Sequence, residues 1–580
     1  MGDAPASSAS RTSGPPRAVV AVVGVLAVLV GGWLATRPFT SLALLLLLLL
    51  AGFVVAAVSE LVDLPEGPTL RRFAVARAGV YALGALALVL WTGAGVRAVI
   101  VVVGLTLLIG GVLEVWGARR ERGVERWNAL LGGASSTLFG LLALAWPDVS
   151  VVVIGVLVGV RLVLLGARLV WRAVRPVRAT TTGRWGPWVR LLGNAIAAVV
   201  AVLLVLVSLS LNRAAPTPDA FYTAPSSVPS EPGRLLRSEP YTTKIPDDAQ
   251  AWRILYTTTR DEGVPALASG LVVVPRQRSG PIPVIAWAHG TTGAAPGCAP
   301  TVIDPFEAGA FFTLDKVLAN GWGFVGTDYV GLGTTGPHPY LIGQGEGRSV
   351  LDAIRAAHQL TDAGLGEQTV VWGHSQGGHA ALWTGVLAPT YAPELDIEGV
   401  AALAPASNLP ALVDHLPDVT GGELFASYVV DAYTRRYDDV TYREYVRPGA
   451  QPIVREMAQR CLAEPSTLVS VATALSLDKP IWAGDPNRGA FATRLRENIP
   501  TGRIEAPLLI GQGADDSLVV RSAQDAYVEG RCAAGQQVDY RVYGGRDHVP
   551  LVEPDSPAIP ELLEWTTQRL AGEAPTDTCG

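Results

Sequence analysis

The sequence predicts a chain in two parts: an all-α transmembrane bundle of about seven helices, then an α/β domain with a mainly parallel sheet, helices on both faces and a helical cap. Three observations predict it. Long apolar runs recur up to about residue 212 and stop there. Charge changes sign at the same point: residues 1–212 hold 18 Arg, no Lys and 8 acidic residues, net +10, while the remainder holds 27 basic and 43 acidic residues, net −16. Beyond that point, strand-like apolar runs alternate with helical patterns, the order that βαβ units produce. At 580 residues the chain exceeds one typical domain. The expected boundaries are a cytoplasmic tail at 1–17, the bundle at 18–212, a linker at 213–238 and the second domain at 239–580, with its cap at about 410–500.

A helix needs about 20 apolar residues to cross the hydrocarbon core. Seven segments qualify, near 18–36, 39–58, 76–95, 97–117, 127–146, 149–171 and 191–211; the run LALLLLLLLAGFVVAAV at 42–58 is the plainest. A cleaved signal peptide fits poorly, because apolar spans keep recurring and no early small-residue cleavage site stands out. With the N-terminus inside, the cytoplasmic segments hold Arg11 and Arg17, then Arg71, Arg72 and Arg77, then Arg119, Arg120, Arg122 and Arg126, then Arg172, Arg175, Arg178, Arg184 and Arg190. The outer loops hold Arg37 and Arg97. That asymmetry obeys the positive-inside rule, and an odd number of spans delivers residue 213 onward to the far side.

Gly31 with Pro38-Phe39-Thr40-Ser41 and Gly140 with Pro147-Asp148-Val149-Ser150 match at an offset of 109, which hints at an internal repeat. Residues 20–175 resemble the acid-resistance-type family of small six-helix membrane proteins. Arg161 falls near the middle of the sixth predicted span and Glu114 near the end of the fourth. A charge at mid-membrane is costly and calls for a partner or an aqueous cavity. Glu114 is either that partner or an interfacial residue.

Residues 213–238, rich in Pro, Ser, Thr and Ala, read as a flexible spacer. Strands are expected at 254–259, 266–275, 283–290, 323–329, 369–374, 399–405, 506–513 and 538–545, and a helix at 349–363 leads into the strand before Ser375. The acidic balance gives no electrostatic reason to expect nucleic acid. No metal-ligand spacing or cofactor motif stands out, so none is expected.

Gly373-His374-Ser375-Gln376-Gly377, followed by Gly378, is a G-x-S-x-G motif between the strand TVVW and a helical stretch. That context is a nucleophile elbow, the signature of the α/β-hydrolase fold. Small residues permit the tight turn, and the Gln376 N–H at the helix start can face a developing oxyanion. A serine hydroxyl needs a base, and the fold's order puts an acid and then a histidine after the serine. His379 would be carried one turn down the helix, and His415 follows the 399–405 strand on the cap. His548, in the loop GGRDHVP after a late strand, is the chosen base; its neighbour Asp547 reads as a loop-surface acid. The acid is Asp515 or Asp516 in QGADDSLVV, and Asp516, three residues after Gly513, is favoured. The second oxyanion donor is assigned to the N–H of Thr291 in WAHGTTG, whose bland alternative is a glycine turn. The loop Asp328 to Gly333 reads as structural.

With these residues in place, 219–575 resembles the secretory lipase family. The resemblance rests on DAFYTAP, PGRLLRSEP, RILYTTT, WAHGTTG with Cys298 after it, GTDYVGLG, SVLDAIRAA, WGHSQGGHAALW, QGADDSLV and YGGRDH. It implies a cap over an acyl pocket, hydrolysis of acylglycerols and simpler carboxyl esters, and a triad of Ser375, Asp516 and His548. It departs from the family in its N-terminal half, which tethers a domain that the family usually secretes. The partners expected are a lipid or small ester and the bilayer. An acyltransferase with the same triad, or a membrane scaffold or sensor with an accessory hydrolase domain, are the alternatives. All four cysteines, Cys298, Cys461, Cys532 and Cys579, lie in the second half, either as disulfides or as buried thiols. Spacing leaves the connectivity open; together with the resemblance, the even count suggests Cys298–Cys461 and Cys532–Cys579.

Overall fold

The change in hydropathy near residue 212 is also a structural boundary. In the computed structural model the chain divides into two units, Met1–Leu209 with Ser476–Asp478, and the rest of Ser210–Gly580. Described are residues 17–36, 42–62, 67–90, 96–145, parts of 155–174, 186–212, 216–260, 263–303, 309, 311–475, 477 and 479–580.

The first unit is helical: α1 (Arg17–Thr36), α2 (Leu42–Val62), α3 (Pro68–Leu90), α4 (Val96–Gly117), α5 (Gly123–Ala145) and α6 (Gly186–Asn212). Its outer surface is apolar, with Leu29, Leu83, Leu90 and Leu192 each more than 60% exposed, the reverse of a water-soluble domain. Among the described residues, four helices are long and apolar enough to cross a membrane: Pro68–Leu90, Ala98–Arg120, Gly123–Ala145 and Trp188–Ser208; Gly24–Ala35 and Leu46–Leu61 are shorter apolar helices. The sixth expected span lies largely outside the described residues, as does Arg161. The third begins at Pro68 instead of residue 76, because Arg71, Arg72 and Arg77 interrupt the apolar run without breaking the helix. Arg77 is therefore not a loop residue. Its guanidinium pairs with Glu60 at 2.7 Å and lies 4.0 Å from Glu114, so the described partner of Glu114 is Arg77.

Glycines set how closely these helices approach. A Cβ on Gly111 would lie 2.6 Å from the carbonyl oxygen of Gly133, and one on Gly140 would lie 2.7 Å from that of Gly104. Gly24 faces Gly166 and Gly31 faces Gly159 in the same antiparallel way. The Gly31/Gly140 correspondence in the sequence thus joins two glycine contacts. Small residues at such seams let backbones pack where apolar solvent gives no hydrophobic drive.

The second unit is built on a nine-stranded sheet in the order β1-β2-β3-β5-β4-β6-β7-β8-β9. The strands are β1 (Leu235–Pro240), β2 (Ala249–Thr259), β3 (Pro265–Pro275), β4 (Ile282–Ala288), β5 (Gly323–Thr327), β6 (Leu365–His374), β7 (Asp396–Leu403), β8 (Leu508–Gly513) and β9 (Asp539–Tyr543). β1, β2, β3 and β5 pair antiparallel, and the five pairs from β5 through β9 are parallel. Both faces are covered. In β6, Val370 and Trp372 pack towards Ile559, Leu562 and Trp565 of the C-terminal helix, and Val371 packs towards Val350, Ile354, Ala380 and Leu382 of the helices Gly343–His358 and Gln376–Tyr391. Burial on both faces is why the central strands read as unbroken apolar runs.

The linker expectation needs correction. From Pro216 onward it is part of the folded second unit. Phe221 and Tyr222 are buried against Leu255 and Leu267, Arg253 stacks on the Phe221 ring, and β1 occupies 235–240 at the sheet edge. Only residues 213–215 lie between α6 and this packing, and they are outside the described residues. The long connection from β7 to β8 is helical, with α-helices at Leu409–His415, Gly422–Arg436, Tyr442–Tyr445, Gln451–Met457, Thr467–Leu475 and Gly489–Glu497. Cys298 is bonded to Cys461 and Cys532 to Cys579, the pairing the resemblance suggests. The first bond closes 163 residues, ties this helical excursion to the loop after β4, and is reinforced by the Leu462 N–H donating to the Thr292 carbonyl at 2.7 Å.

The glycine seam gives a direct test. Gly111→Val should lower the thermal midpoint of the detergent-solubilised full chain, because overpacking a close contact costs about 1–3 kcal/mol. Gly52→Val, where a Cβ meets nothing within 4 Å, should leave it unchanged. Equal midpoints for the two variants would reject the seam.

Candidate active site

β6 ends at His374, and the next residue, Ser375, adopts φ 59° and ψ −118°, a strained conformation that a side chain rarely tolerates. Helix Gln376–Tyr391 starts immediately after it. The glycines around it are obligatory: a Cβ on Gly373 would strike the Gly377 backbone, and one on Gly377 would strike that of Ala288. The Ser375 N–H donates to the Leu403 carbonyl at 3.0 Å, and its own carbonyl accepts from the N–H groups of His379 and Ala406, each at 3.1 Å. The turn is therefore held from β7 as well as from its own helix.

Two loops from the C-terminal edges of the last strands converge on this serine. The Ser375 hydroxyl donates to His548 Nε2 at 2.8 Å, and His548 Nδ1–H donates to Asp516 Oδ2 at 2.8 Å. Asp516 is buried and over-determined. Its Oδ1 accepts from the N–H groups of Leu518 (3.0 Å) and Val519 (2.8 Å), and its Oδ2 also accepts from the Gln512 amide at 3.1 Å. Asp515 is exposed. His415 is half-buried and donates to the Ser517 carbonyl at 3.0 Å, while His379 is fully buried one turn along the helix from Ser375. Ser375, Asp516 and His548 are thus the trio brought into contact.

Asp547, read from sequence as a surface acid, has a defined place. Its Oδ1 accepts from the N–H of Ser517 at 2.8 Å and of His548 at 2.7 Å, which stitches the Asp516 loop to the His548 loop. Burial acts to raise its carboxyl, but those N–H donors outweigh it and hold the group below its ordinary value. The adjacency of an acid to the histidine was visible in the sequence; the reach to Ser517 was not.

The loop after β4 lies across the serine. A Cβ on Gly290 would sit 3.8 Å from Ser375 Cβ. The Thr291 hydroxyl shares a hydrogen bond with the Tyr340 hydroxyl at 2.8 Å, and the Tyr329 hydroxyl donates to the His289 carbonyl at 2.9 Å. The Gln376 amide, first in its helix, has no intrahelical acceptor. No group of three or more His, Cys, Asp or Glu among the described residues could hold a metal ion.

Three further histidines are buried here. Desolvation is the largest cause of lowering in each: His289 falls to about 4, and His338 and His374 to about 3. His374 also feels His548, whose carbonyl accepts its Nε2–H at 3.1 Å. Burial pushes Asp328 the other way, up to about 6, although Ser269 and Thr301 donate to it. Asp328 is at the sheet end beneath the β4 loop, in the structural place the sequence suggested.

The fold and these contacts define an α/β-hydrolase. Residues 309–578 match the secretory lipase family, and residues 76–142 and 133–206 match a short repeat of unknown function. A probable inactive lipase of Mycobacterium tuberculosis is 28% identical over 392 residues, covering 62% of this chain and 84% of that protein. The secreted triacylglycerol lipase LIP4 of Malassezia globosa is 27% identical, covering 63% of this chain and 83% of its own. The crystal structure of Candida antarctica lipase A shares the fold with a TM-score of 0.54 at 21% identity, covering 63% of this chain and 89% of that one. The second unit is similar in sequence to lipases and shares their fold.

Two measurements probe the site. Asp516→Asn should cut ester hydrolysis at least 100-fold and Asp515→Asn less than threefold; the reverse ranking would reassign the acid. The buried histidines make stability pH-dependent. Each is neutral when folded and takes a proton at its ordinary 6.5 when unfolded, so the unfolded chain binds more protons and stability falls as pH drops from 6.5 towards 4. Each contributes up to about 1.4 kcal/mol per pH unit. Asp328 opposes them between about 6 and 3.8, since its folded form binds the proton more tightly. Urea titrations of wild type and His374→Gln across this window should show a shallower acid loss in the variant.

Proposed function

We propose that this protein is a membrane-anchored serine ester hydrolase, a lipase or esterase of acylglycerols or related lipid esters. Ser375 attacks the ester carbonyl, and His548 takes its proton and returns it to the leaving alcohol. Asp516 holds the imidazole in the tautomer that presents Nε2 to the serine and stabilises the imidazolium. The N–H groups of Gln376 and Thr291 are the donors assigned to the tetrahedral oxyanion. The acyl-enzyme is then hydrolysed by water, with His548 as the base in the second half. The observation that carries this reading is the pair of 2.8 Å hydrogen bonds joining Ser375, His548 and Asp516. One relative is described as a probable inactive lipase; the reading for this chain rests on its own Ser375, His548 and Asp516 being in contact.

The apolar helices and the matched repeat support an anchor in the membrane, and the secreted relatives support a catalytic unit outside the cytoplasm. Ser375→Ala and His548→Ala should each lower p-nitrophenyl ester hydrolysis by about 10³-fold or more. A serine variant that keeps a tenth of wild-type activity would sink the nucleophile assignment. On intact cells, a membrane-impermeant fluorophosphonate should label wild type and spare Ser375→Ala. Labelling only after lysis would place the unit inside.

A further inference from the structure

One buried glutamate–histidine pair takes no part in the triad. Glu346 and His379 are both fully buried, and Glu346 Oε2 lies 2.8 Å from His379 Nδ1. His379 stands one turn beyond Ser375, and its Nε2 lies 2.8 Å from the Asn498 carbonyl and 3.1 Å from the Trp383 indole N–H. Nε2 thus meets both an acceptor and a donor, while Nδ1 faces the Glu346 carboxyl. The other oxygen, Oε1, accepts from the Leu341 N–H at 2.9 Å and from the Gln376 side-chain amide at 2.8 Å.

The Gln376 amide is held on its second proton as well. It donates to His338 Nε2 at 2.9 Å, while His338 Nδ1–H donates to the Val330 carbonyl at 3.1 Å. That chain fixes which way the amide points, since turning it over would set its oxygen against Glu346 Oε1. Among the described residues the Gln376 Oε1 is buried without a partner. A side chain clamped at both N–H groups fixes the residue directly after the strained Ser375.

Apolar residues of similar volume would fill this space with a smaller desolvation cost. An ionisable pair aimed at Gln376 therefore calls for a role that packing alone does not require. Resting on the triad reading above, we propose that Glu346 and His379 are positioning residues that hold the oxyanion-binding N–H of Gln376 through its side chain. Glu346 lies in Gly343-Gln344-Gly345-Glu346-Gly347, at the start of helix Gly343–His358. Gly345 and Gly347 let the chain pass close by: a Cβ on Gly347 would lie 3.0 Å from the Thr384 backbone N.

The experiment uses the full chain in detergent, with kcat counted per serine titrated by a fluorophosphonate. Glu346→Gln keeps the shape and lowers the charge; Gln376→Met keeps the backbone amide and removes the clamp. Each should lower kcat for p-nitrophenyl butyrate by 10- to 100-fold with KM within twofold. Each should weaken a phenylboronic acid, whose tetrahedral adduct places a charged oxygen in the oxyanion site, by a similar factor. Because the two act through one chain of contacts, the double variant should be no worse than the poorer single one. Wild-type kcat per titrated serine, losses that multiply in the double variant, or a rise in KM alone would each overturn the proposal. If Glu346→Gln does not accumulate, Gln376→Met alone decides, by its kcat and boronate losses. Activity in Ser375→Ala would instead remove the triad reading, whatever the Glu346 variant does.

Discussion

The second unit is organised around one strained residue. Ser375 has a positive φ, which costs of order 1–3 kcal/mol outside glycine. The strain persists because the neighbours leave no alternative. β6 lies between β4 and β7 at the centre of the sheet, and the turn out of it runs into Ala288 on one side and Leu403 and Pro405 on the other. Relaxing Ser375 would push a carbonyl or a Cβ into one of those strand ends. The Ser375 hydroxyl is thus raised above the sheet by the least movable part of the domain.

Everything else at the site is measured from that point, and each loop is fixed by a bond that crosses to another loop. Asp547 binds Ser517 and so couples the acid loop to the base loop. The Cys298–Cys461 bond and the Leu462–Thr292 hydrogen bond couple the loop after β4 to the helical excursion. Loops that carry chemistry are ordinarily mobile, and such cross-ties supply a rigidity that a single loop lacks. The histidine therefore meets the serine without any rearrangement of the chain.

How much of this was legible in the sequence follows from the same physics. Strands buried on both faces show as apolar runs, so all eight expected strands are present. β1 escaped because it is an edge strand whose Ser238, Glu239 and Pro240 are exposed, inside a stretch whose prolines suggested a spacer. Phe221 and Tyr222 were the signal in that stretch, being aromatics too large to leave on a flexible tether. The triad candidates were readable because their order along the chain is fixed by the order of the strands. Glu346 was not, since an acid among glycines looks like loop and its side-chain partners Gln376 and His379 lie 30 and 33 residues away. The start of α3 was misplaced for the opposite reason: its arginines were taken to end an apolar run that the helix carries through.

The two units reverse the rule of what is inside, and that bears on where the second one resides. The first exposes leucines, buries glycines and alanines and holds a half-buried Glu60–Arg77 pair; the second buries its aromatics under a polar surface. Apolar exposure on that scale suits lipid better than water. Moving Arg77 into α3 removes one charge from the inner loops, but Arg71 and Arg72 remain at the start of that helix. The arginine asymmetry therefore survives with a smaller margin. Disulfides give an argument that does not use it. Two bonds confined to one unit, with no free cysteine among the described residues, suit an oxidising compartment and would not persist in the cytosol. Charge along the helices and sulfur chemistry in the folded unit are independent, and both favour a catalytic unit held on the outer side of the membrane.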